Sequence, residues 1–347
     1  MQAPIKVAIA GTGQFSRFHI DSWGRMADAM LVAGWNRNRN RAEKMLGGSG
    51  ARIFDHVEAM LDDTRPGLLD IAGAPEVHLS LIQMAAERGI QVICQKPLCV
   101  DQAEAQQAVR IARDAGILLV VHENFRFQPW YREIRRQLDA GRIGEVIQAQ
   151  FRLRPGDGRG EDAYLNRQPF FRDMPQFLVR ETGVHLIDTF QYLFGPIAEV
   201  SAHLRQLNPA IKGEDAGHIL MVHGTGSNGR GPVTVFDGNR HLDVPATDRY
   251  LTMGDLMIEG ALGVLRLDGY GQLWHRDYGA DTEQQIEYSW NHRGFGGDCV
   301  HALQSHVISH LLHATPLENQ AKDYLRVQRI VEAVYQSNLD RRVIEVD

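Results

Sequence analysis

Cysteine is scarce in this sequence: Cys94, Cys99 and Cys299 are the three in 347 residues. A sparse, odd set excludes a disulfide framework and points to a reducing compartment, so a cytoplasmic location is expected. Cys94 and Cys99 lack the paired cysteines or nearby histidine of a zinc site. No metal is expected, and all three thiols read as small buried hydrophobes. No run of roughly 18 apolar residues occurs, which excludes a membrane-spanning helix. Met1 to Ala10 lacks the basic start and long apolar stretch of a signal peptide and reads as a first strand. An excess of one charge is also missing. The 37 basic and 43 acidic side chains sum to −6 with histidine neutral, which leaves no global electrostatic footprint for nucleic acid. There is no internal repeat and no Gly/Ser linker. Glycine, by contrast, is plentiful: 34 residues, about 10% against a usual share of roughly 7%, so many sit in turns or beside a ligand. Apolar residues at 44% and charged residues at 23% are ordinary for a globular protein. At roughly 150 residues per domain, the length predicts two domains.

The first third alternates short apolar runs with helical stretches. Strands are expected at Ile5–Ala10, Met30–Trp35, Leu68–Ala72, Ile90–Cys94 and Leu118–His122. Helices are expected at 14–28, 40–47, Val57–Asp62, Val77–Arg88 and Gln102–Ala115. Continuous apolar strands separated by helices predict a doubly wound parallel sheet covered on both faces. Past Glu123 the rhythm changes. A helix over Trp130–Ala140 and a strand over Gly144–Arg154 precede a long polar stretch, 155–175. A loop of that length inside a domain is usually functional or mobile. A helix over Gly183–Leu193 follows, then strands at 197–206, 216–223, 232–237, 255–259 and 262–267, and closing helices at 298–313 and 322–337. Turn residues between the strands suit a mostly antiparallel sheet. The fold class is therefore α/β: a doubly wound parallel-sheet domain over 1–123 and a second α/β domain over 124–347 with a mostly antiparallel sheet.

The run Ile5 to Ser16 gives a strand, then G-x-G-x-x-S, then a helix. Gly11 permits the tight turn and Gly13 lets backbone approach a pyrophosphate. The helix after them offers free N–H groups and its positive dipole end. Thr12, Gln14 and Phe15 line that turn. The end of the second strand reads on the cofactor. An acid there would hold the adenosine ribose and repel a 2′-phosphate. Here Asn36-Arg37-Asn38-Arg39 stands instead. Asn36 suits a hydroxyl or a phosphate, and Arg37 a 2′-phosphate, which leans towards NADP over NAD; a plain surface arginine is the other reading. Ala74, Pro75 and His78 follow the third apolar run, where the loop frames a nicotinamide. His78 either touches the cofactor or caps its helix.

Gln95-Lys96-Pro97 follows the fourth run. Pro97 holds Lys96 extended, and a lysine at a strand's carboxyl end points into the cleft; a plain surface lysine is the other reading. Glu181, His185 and Asp188 are spaced four and three apart and share one side if the helix extends back to Glu181. The set reads as a proton-carrying histidine held by carboxylates, or as a local salt-bridge cluster. Arg152 and Arg154 lead into the long stretch, and Arg159, Tyr164, Asn166 and Arg172 populate it. Arginines there suit a substrate carboxylate or phosphate, or internal ion pairs. Trp290-Asn291-His292 is a candidate second wall.

Together these motifs resemble the glucose-fructose oxidoreductase, inositol dehydrogenase and MocA (Gfo/Idh/MocA) family over nearly the whole length. Its glycine-rich start appears as Ala10 to Gly13, its Thr-Pro-x-x-x-His as Ala74 to His78, and its Glu-Lys-Pro as Gln95-Lys96-Pro97. Its Asn-x-Arg-Phe-x-Pro appears as Asn124 to Pro129, and its Asp-x-x-x-His-x-x-Asp as Glu181, His185 and Asp188. Two departures stand out: Gln95 replaces a glutamate and Glu181 replaces an aspartate. The resemblance implies an NAD(P)-dependent oxidoreductase whose C-terminal open sheet packs on another subunit, as a dimer or tetramer. It also implies that Lys96, His185 and the acid four residues before the histidine form the reacting centre, with Asn124 and Gln95 beside the cofactor. The expected reaction is hydride transfer between nicotinamide and a carbinol carbon of a sugar, polyol or sugar acid. His185 takes the hydroxyl proton, Glu181 or Asp188 steadies the imidazolium, and Lys96 donates to the substrate oxygen or is itself the base. Arg154, Tyr164, Arg172, His185, His292 and Lys96 are the expected substrate contacts. Two other readings are an enzyme that holds NAD tightly for transient oxidation during elimination or epimerisation, and a non-catalytic nucleotide-sensing regulator.

Overall fold

The computed structural model describes residues 3–224 and 231–346, so Met1 and Gln2 of the expected first strand lie outside the described residues. The chain begins β1 (Ile5–Ala10), α1 (Ser16–Trp23), β2 (Ala29–Trp35), α2 (Arg39–Leu46), β3 (Arg52–Phe54), α3 (Val57–Thr64), β4 (Leu68–Ile71), α4 (His78–Ala86), β5 (Gln91–Gln95), α5 (Gln102–Asp114) and β6 (Leu119–His122). Six strands pair in parallel in the order β3-β2-β1-β4-β5-β6. This is the dinucleotide-binding order, with the topological switch between β1 and β4. Val7 to Ala10 are fully buried, as strands covered on both faces must be. Strand β3, three residues long, was not expected; it is too short to carry a hydrophobic period. The first helix is shorter than the expected 14–28, because Gly24 ends it.

The chain continues through α6 (Pro129–Asp139), β7 (Val146–Leu153), α7 (Val184–Phe194), β8 (Ile197–Arg205), β9 (Ala216–His223), β10 (Val233–Asn239), β11 (Gly254–Gly260), β12 (Gly263–Leu267), β13 (Leu273–Asp277), β14 (Gln284–Ile286), α8 (Cys299–His313), α9 (Ala321–Asp340) and β15 (Ile344–Glu345). Nine strands form one sheet in the order β14-β13-β12-β11-β7-β10-β9-β8-β15. All neighbours are antiparallel except β7 and β10. Burial alternates along the strands: Ala149, Phe151 and Leu153 are buried, while Gln148, Gln150 and Arg152 between them are exposed. One face of the sheet is therefore packed and the other open. Strands β13 to β15 were not expected; the two edge strands, β14 and β15, are three residues or fewer.

The fold separates into two compact units, residues 1–124 with 293–326 and residues 125–292 with 327–347. The expected cut at residue 123 differs from this, because α8 returns to the first unit. Side chains hold it there. Arg25 donates to both oxygens of Asp298 at 2.8 and 2.6 Å, and Ser22 bonds His301 at 3.1 Å. The three thiols are free and buried; burial pushes that of Cys99 up to about 12 and raises the other two well above their ordinary range. Among the described residues no helix is long and apolar enough to cross a membrane.

Candidate active site

In the first unit the chain turns sharply after β1. Gly11 has φ +104°, and a Cβ there would lie 2.3 Å from the backbone nitrogen of Gly73. The turn rests directly on the loop after β4, so only glycine fits. Gly13 differs: a Cβ on it would meet nothing within 4 Å. The N–H groups of Gly13, Gln14 and Phe15 have no acceptor among the described residues. Ser16 opens α1, and its hydroxyl donates to Gly13 O at 2.6 Å. Unpartnered donors, open space and a helix start together fit the pyrophosphate of a dinucleotide. The buried Asn124 Nδ2 also has no partner among the described residues.

At the end of β2, Asn36 donates to the Thr12 hydroxyl and accepts from Asn38 N at 3.1 Å. Asn36 thereby ties the second strand's end to the glycine-rich turn. Arg37 is exposed and in no ion pair among the described residues. Arg39 is engaged by Glu43 at 2.8 Å and Asp55 at 2.6 Å.

Ala74 is exposed, and Pro75 opens the short 3-10 turn Pro75–Val77 before α4. His78 is fully buried. Its Nδ1 lies 3.1 and 3.0 Å from the carbonyls of Pro97 and Leu98, and its Nε2 lies 3.1 Å from that of Gly73. Burial lowers its pKa against the pull of those carbonyls. The structure places His78 as a pin between the loops after β4 and β5. Neither the cofactor-contact nor the helix-cap reading describes that contact set. Lys96 is half-buried at the end of β5, with its N–H donating to Gln95 Oε1 at 2.8 Å.

In the second unit, a π-helical turn, Leu178–Gly183, leads directly into α7. Glu181 therefore lies on one continuous helical path with His185 and Asp188, though the wider turn alters its angle around the axis. Such turns recur at functional sites. A carboxylate anchors its start: Glu214 accepts from Phe177 N and Val179 N at 3.1–3.2 Å and from the Tyr335 hydroxyl at 2.6 Å. Negative charge there complements the helix dipole. His185 is nearly buried and stacks on Phe125, centroids 4.1 Å apart and planes 7° from parallel. Asp188 is 1% exposed and receives Arg126 on both oxygens, at 2.8 and 2.6 Å. Arg126 was part of the Asn-x-Arg-Phe signal but carried no assigned role in the sequence reading.

The end of β7 and the long stretch 155–175 commit most of their expected ligand contacts internally. Arg154 pairs with Asp237 at 2.5 Å, Arg152 with Asp255 at 2.8 Å, and Arg159 donates to His241 O at 2.6 Å. For Arg152 and Arg154 the internal-pair reading holds, while Arg159 bonds a backbone carbonyl. Tyr164 sits in a buried cluster with Ala163, Phe171, Phe177 and Ile211, so it is a packing residue. Asn166 is exposed. Arg172 donates to Ala210 O at 3.3 Å and is in no ion pair among the described residues. His292 is exposed, its ring 4.2 Å from that of Trp290.

A family model described as an oxidoreductase family with an NAD-binding Rossmann fold matches residues 5–123. A second, the Gfo/Idh/MocA C-terminal domain, matches residues 131–245. The chain belongs to the Gfo/Idh/MocA oxidoreductase family. Among its Gfo/Idh/MocA relatives, a D-apiose dehydrogenase from Paraburkholderia graminis is 29% identical over 98% of this chain and 89% of the relative. One from Rhizobium rhizogenes is 28% identical, over 99% and 97%. An oxidoreductase from Agrobacterium radiobacter, solved with NAD+, L-tartaric acid and magnesium, is 26% identical with a TM-score of 0.88 over 99% of both chains.

Proposed function

We propose that this Gfo/Idh/MocA oxidoreductase interconverts a carbinol and a carbonyl carbon of a sugar, polyol or sugar acid. The observation that carries the reading is the Gly11–Phe15 turn, with its N–H groups lacking acceptors and open space over Gly13. Gly11, Thr12, Gly13, Gln14, Phe15 and Asn124 hold the dinucleotide. A bound nicotinamide supplies the two-electron chemistry. His185 takes the hydroxyl proton on a ring nitrogen, and Glu181 or Asp188 stabilises the imidazolium. Lys96 donates to the substrate oxygen and favours its alkoxide character. The D-apiose dehydrogenase relatives support a sugar, and the tartaric acid in the related complex supports a carboxylate-bearing one. Arg172 and His292 are the candidates for such a group. The test is a panel of sugars, polyols and sugar acids with NAD and NADP, followed at the absorbance of the reduced cofactor. Substrate-dependent reduction is expected; no net reduction with any member would defeat the dehydrogenase reading. Free, buried thiols support the expected cytoplasmic location.

The cofactor reading leans to NADP through Asn36 and through Arg37, which is in no ion pair among the described residues. Asn36→Asp places a carboxylate where a 2′-phosphate would approach. The ratio of kcat/KM for NADP over NAD should fall by about tenfold or more. An unchanged ratio would remove Asn36 from the specificity determinants.

The open sheet face supports assembly through a second copy. One row across it runs Leu220, Val235, Gln150, Met257, Arg266 and Trp274. Leu220 and Met257 are 43% and 42% exposed. Apolar side chains on a broad open face mark an interaction surface. Leu220→Arg with Met257→Arg should shift sedimentation from a dimer or tetramer to a monomer. A wild-type protein already monomeric would defeat this assignment.

A further inference from the structure

The sequence leaves Lys96 without the acidic neighbour of the Glu-Lys-Pro motif, yet the structure holds a buried carboxylate behind it. Asp70, in β4, is fully buried, and both its oxygens face Nδ1 of His19 in α1, at 3.1 and 2.9 Å. Trp23 Nε1 donates to the same carboxylate at 2.7 Å and Gln304 Nε2 at 3.4 Å. On the other side of the ring, the amide nitrogen of Gln95 lies 3.3 Å from His19 Nε2. The amide oxygen of Gln95 accepts from Lys96 N–H at 2.8 Å.

Each link dictates the next. A carboxylate only accepts, so His19 Nδ1 carries a hydrogen. A backbone N–H only donates, so the Gln95 oxygen must face Lys96 and its NH2 must face the ring. An amide nitrogen only donates, so His19 Nε2 is bare. A glutamate at position 95 would put an acceptor where this chain requires a donor. Gln95 is thus matched to His19, and His19 to Asp70. The neighbouring His122 stacks on His19 at 4.0 Å, its strand position paired with Gln95. Burial holds His122 well below its ordinary range, so it adds an apolar wall and no charge.

We propose that Asp70, His19 and Gln95 form a one-way hydrogen-bond chain that positions Lys96. All three are positioning residues, and the proposal rests on the reading of Lys96 as catalytic. With Asp70 and His19 fully buried and Gln95 half-buried, the chain sets the direction of the Lys96 peptide, and through it the place of the ammonium group.

The test is a swap of acid and amide in the full chain. Gln95→Glu alone opposes an acceptor to a bare nitrogen, and Asp70→Asn alone removes the charge that orients the ring. Each should lower kcat by about tenfold. In the double variant the amide at position 70 donates to Nδ1, and Nε2–H donates to the carboxylate at position 95. The chain then runs in reverse at the same total charge. The double variant should recover to within about threefold of the original kcat. Nitrogen-15 spectra of His19 without cofactor should show hydrogen on Nδ1 in the parent and on Nε2 in the double variant. A parent protein with hydrogen on Nε2, a Gln95→Glu variant of unchanged kcat, or a double variant as poor as the product of the two singles would each overturn the proposal. Lys96→Met in the same assay separates the two claims: full turnover there defeats the catalytic reading of Lys96, and the spectra still decide the chain.

Discussion

Lys96→Met is expected to lower turnover by roughly 10²-fold or more, with affinity for the cofactor preserved to about twofold. Methionine keeps the length and apolar stem of lysine and removes only the donor. The loss should therefore fall on kcat, where a group that acts on the reacting oxygen contributes. The pyrophosphate contacts assigned to Gly11–Phe15 use backbone N–H groups and do not involve the ammonium. Quenching titration with reduced cofactor measures binding separately from turnover. His185→Phe is the companion variant. It retains an aromatic ring for the 4.1 Å stack on Phe125 and removes both ring nitrogens. A similar loss of turnover is expected there, at near-parental thermal stability. If both variants keep parental activity, the proton-transfer assignment is wrong. A loss confined to cofactor affinity would reassign Lys96 to binding.

Arg240→Met should destabilise the protein by about 3–5 kcal/mol, the usual cost of removing one partner from a buried ion pair. Arg240 is 1% exposed and Asp157 is 10% exposed. The guanidinium donates to both carboxylate oxygens, at 3.0 and 2.6 Å, and to the Thr182 hydroxyl at 3.0 Å. It also lies over the ring of Phe177 at 4.8 Å, with Tyr164 and Phe171 at 5.3 and 5.5 Å. One side chain thus fastens the long polar stretch to the end of β10 and to the π-helical turn beside Glu181. Methionine fills much of the volume but leaves the Asp157 carboxylate buried without its counter-charge. Asp157→Asn in the same chain removes that charge and should restore roughly half of the loss. Urea unfolding of the single and double variants measures both effects. A cost below about 1 kcal/mol for Arg240→Met would show that the stretch is held by its aromatic cluster and not by the ion pair.

The parallel sheet was legible because each inner strand is an uninterrupted apolar run ended by a turn residue. Gly11 and Gly13 were legible as a pair, but the reasons for the two glycines differ. Gly11 is required by the backbone of Gly73, while Gly13 has open space around it. Short edge strands were not legible, since three residues cannot display a period. The return of α8 to the first unit was hidden because its anchor, Arg25 with Asp298, joins positions 273 residues apart.

Local pattern by itself determined the alternation of strands and helices, the glycine-rich turn after β1 and the candidate pair Lys96 and His185. These are properties of residues a few positions apart, where spacing and stereochemistry act directly. Tertiary structure alone decided which polar side chains are spoken for. Arg154 went to Asp237, Arg126 to Asp188, His78 to two loops, and Gln95 to a carboxylate in another strand by way of His19. A buried charge or amide must find a partner, and distant segments of the folded chain deliver it.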